Sequence, residues 1–361
     1  MDVDTTEKMA VRIRALDRRS MAQARRRQAV LTKPAGSLGR LEDLSIKLAG
    51  IFRQPTPQIN RKVIIVAAAD HGVVSEGVSA YPQEVTAQMV FNFLSGGAAI
   101  NVLAKHVGAE VVVVDAGVAA DLPSRSALHS ARVGPGTSNM ARGPAMTTAE
   151  ALKCIEAGMS LTKEHVARGA DLLATGDMGI GNTTAASAIT AAMTGASPEQ
   201  VTGRGAGVTD QVLELKTAVV RRTLEVNQPD PKDPTDVLSK VGGFEIGFLA
   251  GVILGGAEAG RPVVLDGFIS GAAALIAYGF SARVRDYLIA SHRSVEPGHG
   301  RQLAHLRLRP LLNLRMRLGE GTGAALAMPI IEGAAKCLRD MATFSGAGVS
   351  KALTDAPEAG G

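Results

Sequence analysis

Apolar residues recur along this chain in two rhythms, and the change between them divides it. From 5 to 53 the spacing is helical, with Leu41, Leu44, Leu48 and Ile51 repeating at three- and four-residue intervals within Leu38–Phe52. The run Lys33-Pro34-Ala35-Gly36-Ser37 breaks this stretch, and Pro55 and Pro57 mark a linker after it. Beyond the linker, short runs that are apolar on both faces alternate with longer helical stretches. The runs are Val63–Ala69, Val111–Val114, Leu172–Ala174, Pro262–Leu265 and Tyr287–Ala290. Strands of that kind are covered by helices on each side, and their alternation with helices implies an α/β fold with a parallel, doubly wound sheet. From 303 to 345 the pattern is read as helix again, with a long apolar run from Ala324 to Met341. The polar, small-residue tail Ala352–Gly361 is expected to fray.

Each apolar run ends in small and polar residues. They are Asp70-His71-Gly72, Asp115-Ala116-Gly117, Gly176-Asp177-Met178-Gly179, Asp266-Gly267-Phe268 and Ser291-His292-Arg293-Ser294. In open parallel sheets ligands bind outside the carboxyl ends of the strands, so these five loops are expected to converge on one site.

Composition narrows the picture. With 361 residues, 46% of them apolar, the chain can bury a large core. It has 41 glycines, 3% aromatic residues and no Trp, which suits close backbone approach to a ligand and not a stacking platform for nucleic acid. The net charge is +5, and much of the excess is the stretch Arg12, Arg14, Arg18, Arg19, Arg25, Arg26 and Arg27. That spacing reads as a solvated helix face, so no nucleic-acid partner is expected. The two cysteines, Cys154 and Cys337, lie apart in helix-like apolar sequence, as in a protein of a reducing cytoplasm. The first residues lack the apolar core of a signal peptide. No stretch approaches the ~18 continuous apolar residues of a membrane helix, so no membrane partner is expected either.

Three segments are candidates for chemistry. Gly176-Asp177-Met178-Gly179-Ile180-Gly181-Asn182-Thr183-Thr184 follows a strand and opens an Ala-rich helix, Ala185–Met193. Its glycines allow backbone N–H groups to approach a phosphate, and Asn182 or Thr183 can cap the helix, whose positive end favours an anion. It is not a Walker loop, and Thr184 stands where a dinucleotide fingerprint requires glycine. A tight structural turn remains the other reading. A second glycine loop, Gly203–Val208, leads to a helix carrying Lys216, which can reach a phosphate as a point charge or simply face water. In the third, Gly319-Glu320-Gly321-Thr322-Gly323, a carboxylate between glycines can serve as a base if burial raises its pKa, or can cap the following helix. The seven histidines, His71, His292 and His299 among them, show no metal-ligand spacing, so no metal is expected. No Gly-x-Ser-x-Gly elbow is present.

Together these segments resemble the nicotinate-nucleotide:dimethylbenzimidazole phosphoribosyltransferases. The likeness runs from Leu31-Thr32-Lys33-Pro34-Ala35-Gly36-Ser37-Leu38-Gly39 to about Phe344. It takes in Ala69–Val74, Gly77–Pro82, Gly179–Thr184, Lys240–Glu245, Val264–Phe268 and Arg317–Gly323, all in the family's order. The resemblance implies a Rossmann-like large domain, 58–302, and a small helical domain from both chain ends, 1–57 and 303–361, in a homodimer. It implies transfer of 5-phosphoribosyl from nicotinate mononucleotide to 5,6-dimethylbenzimidazole, with inversion to the α-linkage, release of nicotinate and no cofactor. It places the general base at Glu320, and contacts to the incoming base at Ser79 and Gln88. Phosphate and nicotinate contacts fall on Gly179, Gly181, Asn182, Thr183, Lys216 and Ser294. Many members carry Glu where this chain has Asp177, so its catalytic carboxylate sits one methylene further back, with a longer or water-mediated contact expected.

Two other readings compete. A nicotinamide-dependent oxidoreductase has a similar sheet, but the failed dinucleotide fingerprint speaks against it. A non-catalytic nucleotide-binding protein keeps the fold, but has no need of the intact Glu320 and glycine loop.

Overall fold

The computed structural model describes residues 13–122 and 127–350. The expected frayed tail, and the part of the N-terminal helical stretch up to Arg12, lie outside the described residues. In chain order the structure runs α1 (Arg18–Gln28), α2 (Arg40–Phe52), β1 (Lys62–Ala69), α3 (Val85–Leu94), α4 (Ala99–Val107), β2 (Ala109–Gly117) and β3 (Leu128–Ser130). It continues through α5 (Thr148–Ala167), β4 (Leu172–Met178), α6 (Asn182–Thr194), α7 (Pro198–Val201), α8 (Asp210–Asn227), α9 (Pro234–Val241) and α10 (Phe244–Glu258). The last elements are β5 (Val263–Leu265), α11 (Phe268–Phe280), β6 (Leu288–Ala290), α12 (Pro297–His305), α13 (Thr322–Asp340) and α14 (Phe344–Ala347).

Two compact units divide the described chain, one from 13–15 and 60–329, the other from 16–59 and 330–350. The cuts therefore fall between 15 and 16, between 59 and 60, and after Pro329, inside α13. The boundaries drawn from sequence lie at 57/58 and 302/303.

The first unit holds a six-stranded sheet in the order β3-β2-β1-β4-β5-β6, every pairing parallel. This is the Rossmann order. Right-handed crossovers on either side of the β1–β4 pair run over opposite faces, so a crevice opens at the carboxyl ends of those two strands. All eight residues of β1 are buried, as a run apolar on both faces requires. Each of the five expected strands is present; the edge strand β3 is additional, and its three residues carry no periodic signal.

α5 starts from a capping box, the Thr147 hydroxyl accepting the Glu150 N–H while the Glu150 carboxylate accepts the Thr147 N–H. It packs on α10, which is buried along nearly its whole length. Glycines set the approach of the two helices: a Cβ on Gly158 would overlap the Phe248 carbonyl oxygen, and one on Gly251 would overlap that of Ile155. Gly158→Ala is therefore expected to cost about 1–3 kcal/mol, the usual range for overpacking, and to lower Tm without changing kcat at temperatures where the variant is folded. An unchanged Tm would show the helices to be free to separate.

The stretch 303–345 is helical only in part. Residues 306–321 are not helical: α12 ends at His305, and an irregular segment follows until Thr322. Pro310 cannot donate to a helical ladder, and Arg307 and Arg315 adopt left-handed conformations, φ 51° and 57°. The segment instead lies along the end of β6, the Leu311 and Leu312 N–H groups donating to the Ser291 carbonyl at 3.1 and 2.8 Å.

Residues 85–107 reach a mean hydropathy of 1.3, enough by length and composition to cross a membrane. Ser95-Gly96-Gly97 splits them into α3 and α4, of 10 and 9 residues. At 1.5 Å per residue each spans about 15 Å, half the ~30 Å hydrocarbon core.

In the second unit Ala24, Ala49 and Leu338 form a small core with Ile46 against it. The Arg27 guanidinium donates to the Leu338, Arg339 and Met341 carbonyls, groups that a helix end leaves without intrahelical partners. This arginine of the basic stretch is thus part of the packing.

Candidate active site

The crevice between β1 and β4 is lined by the loop that precedes α13. Gly319, Glu320 and Gly321 are all left-handed, with φ of 83°, 63° and 91°. Glycine adopts this region freely, whereas for a glutamate it costs about 1–2 kcal/mol, a strain that characterises functional positions. Three contacts hold the loop there. The Glu320 N–H donates to the Asp177 carbonyl at 3.2 Å. Gly176 lets the loop close on β4, because a Cβ there would come within 2.5 Å of the Glu320 carbonyl oxygen. Asp266, at the end of β5, accepts the N–H groups of Gly321, Gly323 and Ala324 at 3.2, 2.7 and 3.1 Å.

Asp266 therefore caps α13, and the Glu320 carboxylate does not. The capping role considered for Glu320 from its position belongs to a residue far away in sequence. Glu320 is 5% exposed, and its Oε2 accepts the Ile100 N–H at 3.3 Å, at the positive end of α4. Burial raises its pKa and the Ile100 N–H opposes the rise. Such a carboxylate is a better proton acceptor than a solvated one.

Asp177 lies beside it on β4, and its Oδ2 accepts the Asn182 amide N–H at 3.1 Å. Its Oδ1 is buried without a hydrogen-bond partner among the described residues. Burial first, then the charges of Asp266 and Glu245, push Asp177 well above the usual carboxylate range. Burial also takes Asp266 up to about 7, against the pull of its three N–H donors.

The glycine loop departs from expectation in one detail. Neither Asn182 nor Thr183 caps α6. Gly181 occupies the cap, at φ 91°, and the two side chains are freed for other partners. Gly179 and Gly181 pack tightly under the loop: a Cβ on Gly179 would overlap the Ala69 carbonyl oxygen, and one on Gly181 would come 2.8 Å from Val74. Beneath them His71 Nε2 meets Glu245 Oε1 at 2.8 Å, both side chains buried. Although burial opposes it, the Glu245 charge and hydrogen bond leave the His71 pKa raised.

On the other side of the first turn of α6 the charge is positive. Lys216 is 1% exposed, and its Nζ donates to Thr183 Oγ1 at 2.7 Å and to the Gly203 carbonyl at 3.2 Å. Burial lowers its pKa to about 8. The Arg317 Nε donates to the Gly205 carbonyl at 3.1 Å from the loop before α13. Ser294 is buried, its N–H donating to His299 Nδ1 at 2.9 Å and its Oγ accepting the Glu296 N–H at 3.3 Å.

The structure therefore joins Glu320, Asp177 and Asn182 at one end and Thr183 and Lys216 at the other, with Gly179 and Gly181 between them. Ser294 joins through Glu296, whose carboxylate accepts the Gly205 N–H. Ser79 and Gln88 stand apart. The Ser79 hydroxyl turns back on Tyr81, and Gln88 is exposed on α3. Among the described residues no hydrogen bond links either to the Glu320 cluster; the link from α3 is Thr86, whose hydroxyl accepts the Ile180 N–H at 3.1 Å. Asp266 and Glu296 are the residues that sequence reasoning left without a role. The position of Asp266 at a strand end is a signal for it, but its partners are not readable from the chain. Among the described residues no three His, Cys, Asp or Glu are arranged to hold a metal ion.

A Rossmann-ordered sheet with a glycine-rich loop opening a helix and a buried carboxylate beside it at the switch point is the architecture of nucleotide-binding α/β proteins. The comparisons with known proteins specify the class. The phosphoribosyltransferase family profile matches residues 13–349. The nicotinate-nucleotide–dimethylbenzimidazole phosphoribosyltransferase of Desulforudis audaxviator is 56% identical, over 98% of this chain and 100% of that relative. The enzyme of the same name from Roseiflexus castenholzii is 58% identical, over 94% of this chain and 96% of its own length. A crystal structure of the enzyme from Thermus thermophilus is 50% identical, with a TM-score of 0.89 over 93% of this chain and 100% of that one. The chain belongs to this phosphoribosyltransferase family.

Proposed function

We propose that the protein transfers 5-phosphoribosyl from nicotinate mononucleotide to 5,6-dimethylbenzimidazole, yielding α-ribazole 5′-phosphate and nicotinate for the lower nucleotide loop of cobalamin. The observation that carries this reading is that the β4–α6 junction holds a buried carboxylate and a buried cation, Glu320 through the Asp177 carbonyl and Lys216 through the Thr183 hydroxyl, in a chain matched over 98% of its length by an enzyme of that name. In this reading Lys216, Thr183, Ser294 and the loop Gly179–Asn182 receive the donor's phosphate and ribose. Ser79 and Gln88 face the incoming base.

The chemistry balances without a cofactor. The ring nitrogen of bound nicotinate is cationic, so the C1′–N bond breaks with its electron pair returning to that nitrogen. An imidazole nitrogen of the incoming base gives its lone pair to C1′ from the opposite face and becomes cationic. The proton on its second nitrogen passes to Glu320, and the α-linked product is neutral at the ring. Asp177, whose Oδ1 has no hydrogen-bond partner among the described residues, positions the ribose or the incoming base from β4. A positioned base of this kind contributes about 10²–10⁴-fold.

Because the leaving group carries its own activation, nicotinate release is expected to depend on the added base and to persist in EDTA. Activity that disappears in EDTA and returns with Mg²⁺ or Zn²⁺ would contradict this chemistry. A homodimer in the cytoplasm belongs to the same reading, and sedimentation at twice 37.3 kDa is its test.

A further inference from the structure

The anion cradle contains an acid. Glu296 immediately precedes α12 and is 5% exposed. Its Oε1 accepts the Gly205 N–H at 2.9 Å. Its Oε2 lies against Gly203, where a Cβ would overlap it, and has no hydrogen-bond partner among the described residues. Lys216 holds the same loop from the other side, through the Gly203 carbonyl at 3.2 Å. A buried carboxylate with one oxygen unsatisfied is costly, and beside a phosphate dianion it is also repulsive.

We propose that Glu296 is the resident counter-charge of the phosphate cradle, a positioning residue that pins the Gly203–Gly207 loop and supplies the negative charge opposite Lys216 until the donor's phosphate takes its place. This inference rests on the reading of Lys216 as the phosphate ligand. A lysine buried without a counter-charge tends to lose its proton, and a neutral amine binds phosphate poorly. Burial draws Lys216 down to about 8, and Glu296 is the group that holds it up. Glu214 and Glu225 of α8 are exposed, Arg222 pairs with Glu76, and further charged groups around the helix are engaged elsewhere. Arg204 pairs with Asp210, Glu199 of α7 with Arg221, and Asp236 with Lys240 of α9. Arg317 bonds the Gly205 carbonyl, α6 carries no charged residue, and burial drives His299 down to about 3, leaving it neutral.

The test is the pH dependence of kcat/KM for nicotinate mononucleotide in the wild type, Glu296→Gln, Glu296→Asp and Lys216→Ala. Glutamine keeps an acceptor for the Gly205 N–H and removes only the charge. The expected profiles cross. At acid pH, where Lys216 is protonated in both proteins, Glu296→Gln binds the donor as well as the wild type or better, since a repulsive charge is gone. At alkaline pH it binds worse, because its limb falls earlier; a limb one unit lower is a loss of roughly tenfold there. Glu296→Asp, which keeps the charge, retains the wild-type limb. A Gln profile lying parallel below the wild type at every pH would reduce Glu296 to a structural residue and overturn the proposal. If Lys216→Ala leaves donor KM unchanged, the phosphate reading itself fails; if it raises KM while the Gln limb stays in place, the Glu296 inference alone fails. Should Glu296→Gln not fold, the wild-type and Glu296→Asp limbs decide: an alkaline limb that moves to lower pH in Glu296→Asp, which keeps the charge, contradicts the charge role.

Discussion

Replacing Glu320 with Gln lowers kcat by roughly two to four decades, while the protein keeps its fold and still binds both substrates. Glutamine matches the shape of the side chain and can still accept the Ile100 N–H, but it cannot take a proton from the incoming base. The loop that carries residue 320 is held by backbone contacts and by Asp266, none of which involves the Glu320 carboxylate, so Tm should change little. Glu320→Asp is expected to be partly active, its carboxylate falling about one methylene short of the nitrogen. Near-wild-type kcat in Glu320→Gln would remove the base assignment and leave the strained loop without a chemical purpose.

Replacing Lys216 with Ala raises KM for nicotinate mononucleotide and leaves KM for the base nearly unchanged. A charge-assisted hydrogen bond of about 1.5–3 kcal/mol corresponds to a loss of roughly tenfold to a hundredfold in donor affinity. The direction with pH follows from the same residue. With its pKa at about 8, Lys216 is charged below that value and loses its proton as pH rises through it, so wild-type donor affinity falls on the alkaline side. The Lys216→Ala variant should show no such limb. An unchanged donor KM would leave Lys216 as a buried packing lysine bonded to Thr183 and Gly203.

How much of this was legible depended on whether the signal was local. Five strands announced themselves because each is apolar on both faces and ends in Asp, Gly or Ser, a pattern complete within a few residues. The strain at Glu320 was foreshadowed by the glycines on either side of it, since two left-handed neighbours demand them. The segment 306–321 misled for the opposite reason. Leu303, Leu306 and Leu314 mimic helical spacing, while the backbone turns at Arg307 and Arg315, residues with no special preference for a left-handed conformation. Lys216 could not be weighed from sequence, because a lysine on a polar helix looks solvated unless its burial is known. Asp266 was visible as a strand-end residue, yet its three N–H donors lie more than fifty residues onward, and only folding brings them together.

The most direct test of the proposed reaction is to incubate the protein with nicotinate mononucleotide and 5,6-dimethylbenzimidazole in EDTA and follow both products by NMR. The expected result is one nicotinate released for each new riboside, with the C1′ linkage inverted to α and no turnover when the base is left out. Nicotinate release that ignores the base, a product retaining the β-linkage, or no reaction at all would contradict it.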